Sequence, residues 1–131
     1  MSRFLVDTDV CVDFIRRLPE AVEFFDSART GSLAMSVVTD MELVVGCQNR
    51  WDRRKLDAFA ARLSLLPLTA HDSVLARQLL RRHRPETGIG MAGSLIAATA
   101  LNRGLSLLTR NLKHYKGIKG LDAVAPYQLR D

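Results

Sequence analysis

Two carboxylates one residue apart, Asp7 and Asp9, follow a short apolar run near the start of the chain. The run 4–6 is continuously apolar, which is typical of a buried parallel strand. In open α/β sheets ligands bind beyond the carboxyl ends of the strands, so Asp7 is expected at such a site. The residues equally allow a structural interpretation, in which Asp9 caps a following helix and Asp7 is a turn residue.

Two further polar residues are expected near the same edge of the sheet. Glu42 lies in the first turn of the helix after the second predicted strand, and Asn111 lies just beyond the fourth. If strands one, two and four are neighbours, these side chains share one crevice with Asp7. The alternative is again structural: Glu42 would complete a capping box with Thr39, and Asn111 would be a turn residue.

A cluster of carboxylates repels itself unless a cation neutralises it. Mg²⁺ and Mn²⁺ prefer oxygen ligands, and Mg²⁺ is often held by one or two carboxylates together with substrate phosphates. Such a metal activates water and stabilises charge on a phosphate during its transfer. The formal net charge of +5 suggests a phosphate-rich or acidic partner. The sequence therefore predicts metal-dependent cleavage of nucleic acid.

The elements that must position these residues alternate regularly along the chain. Apolar runs predict strands near residues 3–7, 33–38, 65–68, 105–109 and 123–125. Stretches of helical periodicity separate them, which predicts an α/β fold with a largely parallel sheet covered on both faces. A loop is predicted from Pro85 to Gly90, and the 131 residues are expected to form a single domain, 1–131.

Composition excludes several other classes of protein. The hydrophobic content of 47% and the charged content of 25% are globular values. No apolar run approaches the ~18 residues of a membrane span, and acidic residues interrupt any signal-peptide core near the N-terminus. Cys11 and Cys47 form no CxxC pair, and the three histidines lack zinc-ligand spacing. Free thiols in a reducing cytoplasm are expected.

Taken together, these segments resemble the PIN-domain endoribonucleases, specifically the VapC-type toxins of bacterial toxin–antitoxin pairs. The resemblance rests on residues 4–10, on 36–46 with Thr39, Glu42, Leu43 and Gly46, on 94–100, and on 107–111. Each segment is weak alone, but the ordered set at this spacing is specific and covers nearly the whole chain.

The resemblance implies a PIN-like fold of three layers, α/β/α, with a roughly five-stranded and largely parallel sheet. It also implies dependence on Mg²⁺ or Mn²⁺, hydrolysis of RNA, inhibition by a cognate antitoxin and a homodimer. Asp7 carries over as a metal ligand, Glu42 as an acid of the metal site, and Asn111 as the polar residue of the last motif. Arg110 and Lys113, in the basic segment after strand four, are expected to contact RNA.

One position departs from the family pattern. Relatives carry an Asp directly before the segment that matches 94–98, and this chain has Gly93. With Asp at position 93 the crevice would gain a principal metal ligand; with Gly the ion is expected to be held weakly or not at all, and activity to be reduced. Two alternatives stay open: a catalytically silent module that binds RNA or antitoxin, and a haloacid-dehalogenase-type phosphatase, whose first strand also ends in Asp-x-Asp.

Overall fold

The computed structural model describes residues 2–129, which form five strands, six α-helices and one 3-10 helix. The strands are β1 (Phe4–Val6), β2 (Leu33–Ser36), β3 (Ser64–Leu66), β4 (Ser106–Leu108) and β5 (Ala123–Val124). The helices are α1 (Thr8–Ile15), α2 (Pro19–Ser27), α3 (Val37–Val45), α4 (Arg50–Ala60), α5 (Ala70–Thr87) and α6 (Met91–Arg103), with the 3-10 helix at Leu112–Tyr115.

The five strands form one sheet in the order β3-β2-β1-β4-β5, and every neighbouring pair is parallel. The first strand of the chain is therefore the central one. Leu5 pairs with Ala34 on one side and with Leu107 on the other. Because parallel strands end at the same edge, the residues that follow β1, β2 and β4 are brought together there.

Both faces of the sheet are covered, as the fold class requires. On one face Leu5, Ala34 and Leu107 pack against residues of α5 and α6. On the other face Val6, Met35 and Leu108 pack with a second cluster that draws on α1, α2, α3 and α4. Side chains alternate between the two faces along each strand, so a single strand contributes to both clusters. The predicted three-layer α/β/α architecture is confirmed.

Several element boundaries differ from the sequence prediction by one or more residues, and two of the differences have a clear local cause. Strand β2 ends at Ser36, whose Oγ accepts a hydrogen bond from the Val38 N–H at 3.0 Å and so begins α3 earlier than expected. Helix α5 continues through Pro85 to Thr87, where a loop was predicted, and ends at Gly88 with φ +76°. Proline costs this helix one backbone hydrogen bond in its last turn, which is not enough to end it.

Within residues 2–129 no helix has both the length and the apolar character that crossing a bilayer requires.

Candidate active site

A crevice of about 200 Å³ opens at the carboxyl edge of the central strands. It is lined by Asp7, Thr8, Asp9, Glu42, Gly90, Ala92, Gly93, Ile96, Asn111, His114 and Tyr115. The structure therefore brings together the four positions that the sequence singled out, Asp7, Glu42, Gly93 and Asn111. The parallel order β2-β1-β4 explains this convergence, because it places the ends of these three strands side by side.

Asp7 is the most extensively hydrogen-bonded acid of the crevice. Its backbone N–H continues the β1–β4 ladder by donating to the Leu108 carbonyl at 2.8 Å. Its Oδ1 accepts from the Thr8 N–H at 2.8 Å, and its Oδ2 accepts from the Thr109 hydroxyl at 2.8 Å and the Tyr115 hydroxyl at 2.9 Å. The side chain is buried. Asp7 is thus the N-cap of α1, so the interpretation that assigned the cap to Asp9 is wrong.

Asp9 lies in the first turn of α1 and faces the start of the segment after β4. Its Oδ2 accepts a hydrogen bond from the Arg110 backbone N–H at 3.0 Å. Its Oδ1 is buried and has no hydrogen-bond partner in the described part of the chain. Burial, together with the nearby charge of Asp7, raises the pKa of Asp9 from 3.8 to about 6. An unpaired buried oxygen beside a second carboxylate is the least satisfied polar group of the crevice.

Glu42 reaches the crevice from α3 and stays exposed. Its Oε1 accepts a hydrogen bond from the Thr8 hydroxyl at 2.8 Å, and that hydroxyl lies 2.9 Å from the Thr39 hydroxyl. The proposed capping box with Thr39 is wrong, because α3 begins at Val37 and Ser36 supplies its cap. Glu42 therefore sits in the second turn of the helix, free to face the end of β1.

Asn111 and Gly93 close the crevice on its other side. The Asn111 amide nitrogen lies 2.7 Å from Nδ1 of His114 within the 3-10 turn. Gly93 is the third residue of α6, and a Cβ added there would lie 3.3 Å from the Tyr115 hydroxyl and 3.2 Å from Cγ1 of Ile89. Sequence reasoning missed Tyr115 and Thr109 as partners of Asp7; the position of Thr109 at the end of β4 was the available signal.

The two residues expected to contact RNA have different surroundings. Lys113 is exposed on the 3-10 helix. The guanidinium of Arg110 instead donates to the Asp13 carboxylate, with Nη2 at 2.9 Å from Oδ1, and the Tyr127 hydroxyl donates to the same carboxylate at 2.8 Å. Arg110 thus ties the segment after β4 to α1, a role that the sequence did not predict. An RNA contact by either residue stays a prediction.

The acids of the crevice provide few of the oxygen ligands that Mg²⁺ or Mn²⁺ requires. Residues 2–129 contain no group of three or more His, Cys, Asp or Glu side chains arranged to hold a metal ion. Both oxygens of Asp7 already accept hydrogen bonds from the protein. The residues present therefore do not fit a tightly held divalent ion, in keeping with glycine at the position where a carboxylate was expected.

Comparison with known proteins identifies the protein family to which the chain belongs. The model of the PIN domain family matches residues 4–118, and the chain belongs to that family. A tRNA(fMet)-specific endonuclease VapC from Shigella flexneri is 30% identical over 129 residues, covering 92% of this chain and 96% of that protein. Ribonuclease VapC10 from Mycobacterium tuberculosis is 36% identical over 113 residues, covering 85% of this chain and 84% of that protein.

Solved structures give the same result. The DNA-bound VapBC structure from Salmonella typhimurium superposes with a TM-score of 0.81 at 27% identity, covering 97% of this chain and all of that one. A toxin–antitoxin complex from Klebsiella pneumoniae gives a TM-score of 0.78 at 26% identity, with 95% and 98% coverage. The resemblance to VapC-type PIN domains is confirmed, and the phosphatase alternative is wrong.

Proposed function

We propose that this protein is an endoribonuclease toxin of the VapC class, which hydrolyses RNA phosphodiester bonds and is restrained by a cognate antitoxin. The observation that carries the proposal is the convergence of Asp7, Glu42, Gly93 and Asn111 on one crevice in a chain of the PIN family. The names of its relatives, endonuclease VapC and ribonuclease VapC10, support the reaction class.

We further propose that full activity depends on Mg²⁺ or Mn²⁺ and on a carboxylate at position 93. All three acids of the present donor set, Asp7, Asp9 and Glu42, accept hydrogen bonds from the protein, so few of their oxygens are free for a divalent ion. Ligand charge tunes metal affinity, and loss of a supporting group around a metal costs ~10–100-fold in affinity or activity. The protein with glycine at position 93 is therefore expected to cleave RNA slowly.

The test compares the protein with its Gly93→Asp variant on structured RNA at matched Mn²⁺ concentration. Gly93→Asp is expected to raise the cleavage rate by ~10-fold or more, and to increase toxicity in cells without antitoxin. Ala92→Asp is the matched control, because it adds the same charge to the crevice wall one residue away. Equal rates for the original protein and Gly93→Asp would contradict the role assigned to position 93.

A second candidate function is a silent module that binds RNA or antitoxin without cleaving. The observation that favours it is the three hydrogen bonds that Asp7 accepts from the protein, which stabilise this acid without a cation. If this alternative is correct, the Gly93→Asp variant is expected to remain inactive on RNA. The original protein and the variant are then expected to bind the antitoxin equally well.

We propose that the antitoxin docks in the groove beside the crevice, which encloses about 280 Å³. Its floor is apolar, with Val12, Ile15, Leu43 and Leu56. Arg16 and Lys55 line the groove together with Glu42 and Asp52, so it carries charges of both signs beside its apolar residues, which fits an amphipathic segment. The structural relatives solved as a toxin–antitoxin complex and as VapBC support this partner class.

The groove assignment is tested by tagging the protein in its native cells and measuring recovery of the co-purifying antitoxin. Lys55→Glu is expected to lower that recovery, whereas Arg77→Glu on α5, outside the groove, leaves it unchanged. Unchanged recovery with Lys55→Glu would place the antitoxin elsewhere.

A homodimer is proposed on the resemblance, and light scattering of the purified protein measures it.

A further inference from the structure

Tyr115 is a buried polar residue that the proposed reaction does not use. It ends the 3-10 helix Leu112–Tyr115, and its side chain is only 6% exposed. Its hydroxyl donates to Oδ2 of Asp7 at 2.9 Å, across 108 positions of sequence. A buried hydroxyl is costly without a hydrogen bond, so this contact holds both side chains in place.

The Tyr115 hydroxyl lies beside the α-carbon of Gly93. An added Cβ at position 93 would lie 3.3 Å from that hydroxyl, closer than ordinary van der Waals contact. The backbone of Gly93 is helical, so no positive φ angle requires glycine here. Glycine is also a poor residue for a helix interior. What position 93 accommodates is therefore the hydroxyl of Tyr115, beside Cγ1 of Ile89 at 3.2 Å, rather than an unusual backbone conformation.

We propose that Gly93 and Tyr115 are a matched pair in which glycine leaves room for the tyrosine hydroxyl and that hydroxyl holds Asp7 without a cation. Tyr115 is thus a positioning residue, acting through Asp7. The inference rests on the proposed function only for the assignment of Asp7 to the active site. It predicts that Gly93→Asp alone restores the metal site incompletely, because the new side chain meets the Tyr115 hydroxyl.

The first test measures packing in metal-free protein with a chelator present. Gly93→Ala is introduced into the original protein and into Tyr115→Phe, which lacks only the hydroxyl, and thermal unfolding is followed. The midpoint change caused by Gly93→Ala is expected to be about 3–5 °C more favourable in the Tyr115→Phe background. Tyr127→Phe is the matched control, since Tyr127 also donates to a buried aspartate, Asp13, outside the crevice. The same midpoint change in all three backgrounds would overturn the proposal.

The second test measures binding of Mn²⁺ alone by calorimetry. Gly93→Asp combined with Tyr115→Phe is expected to bind Mn²⁺ about tenfold more tightly than Gly93→Asp. Combining Gly93→Asp with Tyr127→Phe is expected to give no gain. Equal affinity for Gly93→Asp with and without Tyr115→Phe overturns the proposal. Neither measurement uses RNA, so a failure of the proposed ribonuclease function is recognised separately, by the absence of cleavage in variants that do bind Mn²⁺.

Discussion

Asp7 and Asp9 are separated by one residue, but their carboxylates have different surroundings. Asp7 accepts hydrogen bonds from Thr8, Thr109 and Tyr115. Asp9 accepts a hydrogen bond from the Arg110 N–H on Oδ2, which also lies 3.5 Å from the Thr109 hydroxyl, and its other oxygen is unpaired and buried. Two acids that look equivalent in the sequence therefore have unequal roles: Asp7 organises the crevice, and Asp9 carries an unfavourable charge.

Asp9→Asn is expected to stabilise the protein at neutral pH. Because the pKa of Asp9 is raised from 3.8 to about 6, its folded form keeps a proton that the unfolded chain releases. The contribution of this proton to the folding stability is fully present below pH 3.8. It is lost as the pH rises through about 6, where the folded form also releases the proton. At pH 7.5 the variant should gain about 1–2 kcal/mol, less than the whole pKa displacement implies because the carboxyl is partly exposed.

Urea unfolding at pH 7.5 and pH 4 measures this effect. The gain should shrink toward zero at pH 4, where the carboxyl of the folded original protein is already protonated. A variant that is no more stable than the original at pH 7.5 would show that Asp9 does not carry this penalty.

At the residue scale the sequence placed the candidate site residues at one edge of the sheet but did not reveal the contacts among them. Asp7, Glu42 and Asn111 could be placed because each follows a recognisable strand, and parallel strands end at one edge. The partnership of Asp7 with Thr109 and Tyr115 depends on how β4 and the 3-10 helix sit beside β1. No local pattern encodes a contact between residues 102 or 108 positions apart.

At the scale of elements, α5 and α6 are joined by one buried carboxylate. Asp72 forms a reciprocal capping box with Thr69 at the start of α5. The Asn102 amide, near the end of α6, donates to the same carboxylate at 2.7 Å. Burial alone raises the pKa of Asp72, but the hydrogen bonds from Asn102 and Thr69 outweigh it and lower the pKa below 3.8.

Asp72→Ala is expected to destabilise the protein by about 2–3 kcal/mol, since it removes a helix cap and leaves buried donors unpaired. The lowered pKa means that the stabilisation is present above pH 3.8 and is lost as pH falls further. Chemical unfolding at pH 7 and pH 3 measures both effects. Asp57→Ala, an exposed residue on α4, is the control and should change stability little. A penalty that is the same at both pH values would contradict the carboxylate's role.

Most elements could be predicted from the sequence, and the misses have local causes. Helix α6 ends at Arg103, because Gly104 provides a left-handed C-cap with φ +65°, a stop signal that the sequence itself displays. Pro85 suggested a helix end, but in the last turn of α5 its missing N–H removes little. Ser36 was read as part of a strand, although Ser is a favoured N-cap, because the apolar residues after it continue the strand pattern.

At the scale of the whole molecule, the formal net charge of +5 predicts RNA binding that weakens with salt. The logarithm of the association constant should fall linearly with the logarithm of salt concentration. Lys113→Ala should reduce the slope by about 1 if its ammonium neutralises one phosphate. Arg53→Ala serves as the control, because Arg53 pairs with Asp57 and does not line the crevice. Filter binding of a fixed RNA over a salt series measures both slopes, and affinity that does not change with salt would contradict a phosphate-tracking surface.

The place of β1 at the centre of the sheet has a consequence for the timing of synthesis. The ribosome makes β1 among the first residues, yet its neighbour β4 spans Ser106–Leu108. Asp7 meets the hydroxyls of Thr109 and Tyr115 only after those residues have emerged. Pairings between distant segments form late, because the intervening chain must first be closed into a loop. A nascent chain therefore keeps its first carboxylate without the Thr109 and Tyr115 hydroxyls for most of translation, and the crevice of the proposed function forms only near the end of synthesis.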